Sequence, residues 1–142
     1  MTCKQLSIFI ENRKGRLLEV LDVLSANGVN ILSMSLADTT DYGLVRLIVN
    51  NPELGKQKLL ENGFSSMLAD VIVLKIPHVT GGLQEFLKLL ENEDVNIDYL
   101  YGLSTNNDNA YIVLKTSNTK AVEKALTEHG FKTLLPEELY SL

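Results

Sequence analysis

One motif occurs twice in this chain, and the repeat restricts the possible folds more than any other feature. Ile10-Glu11-Asn12-Arg13-Lys14-Gly15-Arg16-Leu17 opens an apolar-periodic segment that ends in Gly28-Val29-Asn30-Ile31. Ile76-Pro77-His78-Val79-Thr80-Gly81-Gly82-Leu83 opens a second one that ends in Asp94-Val95-Asn96-Ile97. Gly15 and Gly81 stand 66 positions apart, as do Asn30 and Asn96. A fixed period of this kind signals duplicated structural units. It divides the 142 residues into 1–69 and 70–142, each near the lower size limit for a self-sufficient core.

Within the first copy, residues 4–11 read as a strand from their strand-forming, partly alternating side chains. A polar turn and Gly15 lead into a helix over 15–27, with Leu17, Val20, Leu21 and Leu24 on one face and Leu18 beside them. Asn27-Gly28 stops it. Strands over 29–36 and 44–49 flank a turn-forming run at 38–43. Asn51-Pro52-Glu53 and Asn62-Gly63 bound a second helix whose apolar pattern (Leu54, Leu59, Leu60) is weak, and 64–68 reads as a fourth strand.

The second copy follows suit. Strand 71–76, a helix carrying Leu83, Phe86, Leu87 and Leu90, and strand 95–103 come first. A hairpin turn at 105–109, strand 111–115 and a helix after Ser117-Asn118-Thr119 with Ala121, Val122, Ala125 and Leu126 complete it. Glu128-His129-Gly130-Phe131 mirrors Glu61-Asn62-Gly63-Phe64 at an offset of 67, so one residue has been gained in between. The element order β-α-β-β-α-β, with right-handed crossovers, is ferredoxin-like and α+β: a four-stranded antiparallel sheet with both helices on one face. Two such repeats of marginal size are expected to pack side by side into one continuous antiparallel sheet.

Charge and cysteine content exclude several functions. The formal net charge is −5 with acids spread along the chain, which is unlike the basic footprint of a nucleic-acid binder or a membrane-surface helix. Cys3 is the only cysteine, so neither an internal disulfide nor a cysteine metal cluster can form. No secretion signal and no apolar run of membrane-spanning length are apparent, and the expected setting is the cytoplasm. Two histidines (His78, His129), no phosphate loop, no metal-ligand spacing and no nucleophile motif argue against an enzyme and call for no cofactor.

Binding fits the residues better. Each strand-to-helix turn offers unpaired N–H groups at the positive end of a helix, which suits a carboxylate. Asn12 and Asn30 offer amide oxygens for an ammonium group; Asn96 repeats Asn30, and His78 takes the place of Asn12. A free amino acid carries both groups.

Glu11-Asn12-Arg13-Lys14-Gly15-Arg16-Leu17 with Gly28-Val29-Asn30-Ile31 resembles the ACT domain, the regulatory module of amino-acid-metabolising enzymes. It is particularly similar to the version on phosphoglycerate dehydrogenase, whose loop reads His-Glu-Asn-Arg-Pro-Gly and whose second strand starts Gly-Val-Asn-Ile. Val79-Thr80-Gly81-Gly82-Leu83 with Val95-Asn96-Ile97 is a looser match, so the whole chain resembles two ACT domains without an attached enzyme. The resemblance implies an amino-acid effector held between the loop of one domain and the second strand of another. Carried over by position, the ligand-binding residues are Asn12, Arg13, Lys14, Gly15, Arg16, Leu17, Asn30 and Ile31 in the first copy. In the second they are His78, Gly81, Gly82, Leu83, Asn96 and Ile97. Asn12 would face Asn96, the preferred site, and His78 would face Asn30. Ile10 stands where the serine-binding version has histidine, which argues against serine at the first turn, and Lys14 and Thr80 replace the usual proline and loosen both loops.

The resulting expectation is a non-enzymatic, homodimeric amino-acid sensor that regulates a separate enzyme of amino-acid metabolism. The alternatives are an acylphosphatase-like small hydrolase, whose phosphate-holding arginine would have to be Arg13 or Arg16, and a purely structural dimerisation module.

Overall fold

The structure is a computed structural model and describes residues 2–38, 41–103 and 109–142. Two compact units account for them: Lys4–Ala69 with Ser141, and Asp70–Tyr140 with Cys3 and Leu142. Residues 39–40 of the first expected hairpin turn and 105–108 of the second lie outside the described residues.

In the first unit, β1 (Cys3–Glu11), α1 (Arg16–Ala26), β2 (Ile31–Asp38), β3 (Tyr42–Val49) and α2 (Pro52–Glu61) precede β4 (Ser65–Pro77). The strands lie in the order β2-β3-β1, with β4 next to β1. Leu6, Ile8 and Ile10 of β1 join Val45, Leu47 and Val49 of β3 and Val20 and Leu24 of α1 in one buried cluster. Alternation in the strands and 3.6-residue spacing in the helix thus place the expected side chains together. Leu18 and Leu60, assigned on sequence to the apolar helix faces, are 61% and 49% exposed. The weak apolar pattern of α2 has a steric cause: Gly55, not a leucine, is the residue buried at its centre. A Cβ there would lie 3.1 Å from Leu6 and 3.3 Å from Leu24, so the missing side chain lets α2 approach β1 and α1.

The second unit contains the rest of β4, α3 (Gly82–Leu90), β5 (Ile97–Leu103), β6 (Asn109–Thr116), α4 (Thr119–Glu128), β7 (Lys132–Thr133) and α5 (Pro136–Tyr140). Its strand order is β5-β6-β4-β7, all antiparallel. Ile72, Leu74, Ile76, Phe86, Leu90, Leu114, Val122 and Leu126 form its helix-side core.

Register repeats along with sequence. Ile31↔Val49 matches Ile97↔Thr116, each beside a bulge. Ala37↔Leu44 matches Leu103↔Tyr111, which puts the gained residue in the hairpin between β5 and β6.

Three differences from the sequence reading have local causes. The strands expected over 64–68 and 71–76 run on as the single 13-residue β4, because Ala69 and Asp70 stay extended. β2 and β5 begin at Ile31 and Ile97, two residues later than expected, beyond the asparagine that each turn retains. The fourth strand of the second repeat, β7, is only two residues long, and α5 carries no periodic pattern and has no counterpart in the sequence reading. Within the second unit, β7 pairs with β4, and the Cys3 thiol donates to Leu134 O at 3.6 Å. Burial pushes the Cys3 thiol up to about 11.

Two substitutions test this packing. Gly55→Leu overfills the α2–β1 contact and is expected to lower unfolding free energy by about 1–3 kcal/mol in a urea titration. Thr116 is buried with a hydroxyl that has no hydrogen-bond partner among the described residues, at the position where the first unit has Val49. Thr116→Val is therefore expected to raise stability by ~1 kcal/mol in the same titration, and a loss would contradict this account.

Candidate functional site

All four principal helices start after an asparagine or a glycine, and the difference separates two kinds of helix. Asn51 caps α2 by accepting from Leu54 N (3.3 Å), and Asn118 caps α4 by accepting from Ala121 N (3.2 Å). The N-cap residues of α1 and α3 are Gly15 and Gly81, which have no side chain to offer. Their φ values of 88° and 83° are left-handed, a conformation that costs other L-residues roughly 1–2 kcal/mol. The turns around them are superimposable in hydrogen bonding. Arg13 N donates to Glu11 O, Arg16 N to Arg13 O and Glu19 N to Gly15 O; Val79 N to Pro77 O, Gly82 N to Val79 O and Glu85 N to Gly81 O repeat the set. The N–H groups of Lys14, Gly15 and Leu17, and of Thr80, Gly81 and Leu83, have no partner among the described residues. Three amide donors without partners among the described residues therefore stand at the positive end of the helix in each unit.

The basic side chains of the first turn are engaged by the protein's own acids. Arg13 Nε donates to Glu11 at 2.8 Å, and this hydrogen bond holds the exposed Glu11 carboxyl below its usual range. Arg16 pairs with Glu19 at 2.5 Å and lays its guanidinium 4.5 Å above the Phe64 ring, with its Nε buried and without a partner among the described residues. Lys14 is exposed, and Leu17 packs against the first core. In the second turn His78 is exposed and Leu83 packs against the second core. Gly82, at the place of Arg16, is buried, and a Cβ on it would sit 2.6 Å from Pro77 O.

Asn30 and Asn96 are fixed by their backbones rather than by their side chains. Asn30 N donates to the Asn50 side chain and Asn30 O accepts from Asn50 N; Asn96 makes the same pair of bonds with Ser117. Asn96 Nδ2 donates weakly to Asp98 (3.3 Å), while its amide oxygen and the Asn30 side chain accept nothing among the described residues. Asn96 and Ile97 line a groove of about 510 Å³ with Leu87, Lys88, Leu90 and Val95.

The structure separates what a single unit might have been expected to bring together. Asn12 N donates to Asp41 O at the start of β3, whereas Asn30 is tied to Asn50 just beyond its end. At 3.2–3.4 Å per residue the intervening strand puts the two roughly 25–30 Å apart. His78 and Asn96 stand at opposite ends of β6 in the same manner, through Pro77↔Asn109 and Asn96–Ser117. No small molecule can touch the turn and the strand-start asparagine of the same unit.

The family model of the ACT domain pair matches residues 1–142, and the chain belongs to that family. It is 37% identical to protein BT0572 from Bacteroides thetaiotaomicron, covering 100% of this chain and 98% of that one with a TM-score of 0.94. The ligand-free regulatory subunit of aspartate kinase from Thermus thermophilus has the same fold at 12% identity, with 88% and 90% coverage and a TM-score of 0.64. Its counterpart from Thermus flavus aligns at 14% identity over 87% and 88%, with a TM-score of 0.61. No curated protein matches the chain. The fold is thus two ACT repeats, α+β, of a kind found in regulatory proteins. No described helix is long and apolar enough to cross a membrane.

A substitution probes the second turn directly. Gly82→Ala places a methyl against the Pro77 carbonyl and should cost about 1–3 kcal/mol in denaturant unfolding, whereas Arg16→Ala at the equivalent position creates no clash. Equal stability of Gly82→Ala and the native protein would refute the tight turn.

Proposed function

We infer that this protein binds a free amino acid and acts as a non-enzymatic sensor, regulating a partner enzyme of amino-acid metabolism in trans. The observation that carries the reading is the pair of helix starts left without a side-chain cap, next to helices that are capped. Unpaired amides at a positive helix end take the effector's carboxylate. The spare amide oxygen of a strand-start asparagine takes its ammonium. Because turn and asparagine of one unit are too far apart to share a ligand, the two must come from different ACT units. The family resemblance assigns Asn12 and Gly15 with Asn96 to the preferred site and His78 with Asn30 to its counterpart. A cytoplasmic homodimer is part of the same reading.

Magnitudes suit a sensor. Hydrogen bonds to charged groups contribute about 1.5–3 kcal/mol each, and association costs at least ~4 kcal/mol. Three or four contacts leave at most roughly −8 kcal/mol, so the affinity is micromolar at its tightest.

Isothermal titration against the twenty amino acids is expected to give saturable heat with at least one of them. Asn96→Ala should weaken that ligand by about tenfold, the equivalent of one charged hydrogen bond. Asn12→Ala should weaken the same ligand, and the double variant should show a coupling term if both side chains grip one molecule. An absence of heat with all twenty would overturn the proposal.

A further inference from the structure

The two repeats treat one aromatic ring differently. In the first, the Arg16 guanidinium lies 4.5 Å from the Phe64 centroid and pairs with Glu19, so a planar cation is held between a ring face and a carboxylate. The Arg16 side chain is only 18% exposed there, and Phe64 beneath it 5%. In the second repeat Glu85 keeps the place of Glu19 and Phe131 that of Phe64, but Gly82 replaces Arg16. A Cβ on Gly82 would lie 2.6 Å from Pro77 O, so this position cannot supply a cation of its own. We propose that the second unit binds a free guanidinium compound at Glu85 and Phe131, in the way the first unit holds its own Arg16.

The ring is accessible for this. Phe131 is only half-buried, and its one aromatic contact is to Phe86, edge-on, with centroids 6.2 Å apart and planes at 69°. No cation of the described residues lies over it as Arg16 lies over Phe64.

The lining has the matching charge. Glu85, Glu93, His129 and Phe131 share one groove of about 410 Å³ with Lys88 and Asn92, a volume in the range of small-ligand sites. Glu93 stands at the place of Asn27, which adds a second carboxylate that the first repeat lacks. His129 Nδ1 lies 2.9 Å from Ala125 O, which makes Nδ1 the donor and leaves Nε2 a lone-pair acceptor. Glu85 and Glu93 have no ion-pair partner within 4.0 Å among the described residues. Lys88, the one lysine or arginine in the lining, is exposed and likewise unpaired among them, so two carboxylates against one ammonium leave a negative excess.

A guanidinium suits this lining better than an ammonium. Its plane stacks on a ring while its edge donates to a carboxylate, and Arg16 shows both contacts in the first unit. Each contact is modest near the surface, so a minimal probe binds weakly and is best followed by NMR.

The test is a titration of the ¹⁵N-labelled full chain at neutral pH and constant ionic strength with ethylguanidinium chloride, and with ethylurea as its neutral isostere. Ethylguanidinium is expected to shift the Glu85, His129 and Phe131 amides saturably, and ethylurea to give no saturable shift. Glu85→Gln, an exposed change, should weaken the binding by about threefold, as loss of one exposed ion pair does. Arg16→Ala should open the counterpart site, seen as new saturable shifts at the Glu19 and Phe64 amides. The proposal falls if ethylguanidinium does not saturate, if ethylurea binds equally, or if Glu85→Gln leaves the affinity unchanged. It falls too if a capped Gly-Arg-Gly peptide binds more tightly than agmatine, which would point to an arginine side chain of another protein. The probe carries no carboxylate, so failure here leaves the amino-acid titrations untouched.

Discussion

A left-handed glycine at the start of a helix is the constraint on which the site depends. Gly15 and Gly81 turn the chain at positive φ, so that the strand can end and the helix begin within a few residues. The same residue type that permits the turn cannot cap the helix that follows. A side chain at that position would bring strain and, if it were an asparagine, would also occupy the donors. Backbone geometry and ligand chemistry therefore favour the same residue, and α2 and α4, whose starts are filled by Asn51 and Asn118, show what a purely structural helix start looks like in this protein.

Duplication supplied two equal frameworks, and substitution has since made them unequal. Three backbone bonds within each turn coincide one for one. Side chains do not. The first turn has Arg13 and Arg16, each balanced by a neighbouring glutamate; the second has an exposed histidine and a buried glycine held against a carbonyl.

Much of this was legible from the residues because local and global signals agree. Proline and acid after Asn51 announced α2 although its apolar spacing is poor, and the structure explains the poor spacing by Gly55 at the point of closest approach. The turn glycines and the recurrence of Asn30 as Asn96 followed from the period alone. What remained hidden depends on pairing distant in sequence. Ala69-Asp70 looks like a break and stays extended, and the two-residue β7 is defined only by its partner β4. α5 could have been suspected from Pro136 at its first position and the two glutamates behind it. The Arg16 guanidinium also rests on Phe64, a residue 48 positions away that no local pattern links to it. The separation of Asn12 from Asn30 follows from antiparallel topology, since β1 and β2 both flank β3 and so run the same way.

That separation bears on the proposed amino-acid binding, since the helix start and the strand-start asparagine of one unit cannot hold the same zwitterion. The most direct measurement is the ¹⁵N–¹H spectrum of the Gly15 and Gly81 amides, recorded while the amino acid that gives saturable heat is added. Carboxylate capture at an open helix start predicts that at least one of these two amide protons moves downfield in proportion to occupancy, and that Asn96→Ala or Asn30→Ala weakens the same shift. Saturable binding with both glycine amides unmoved would contradict the account.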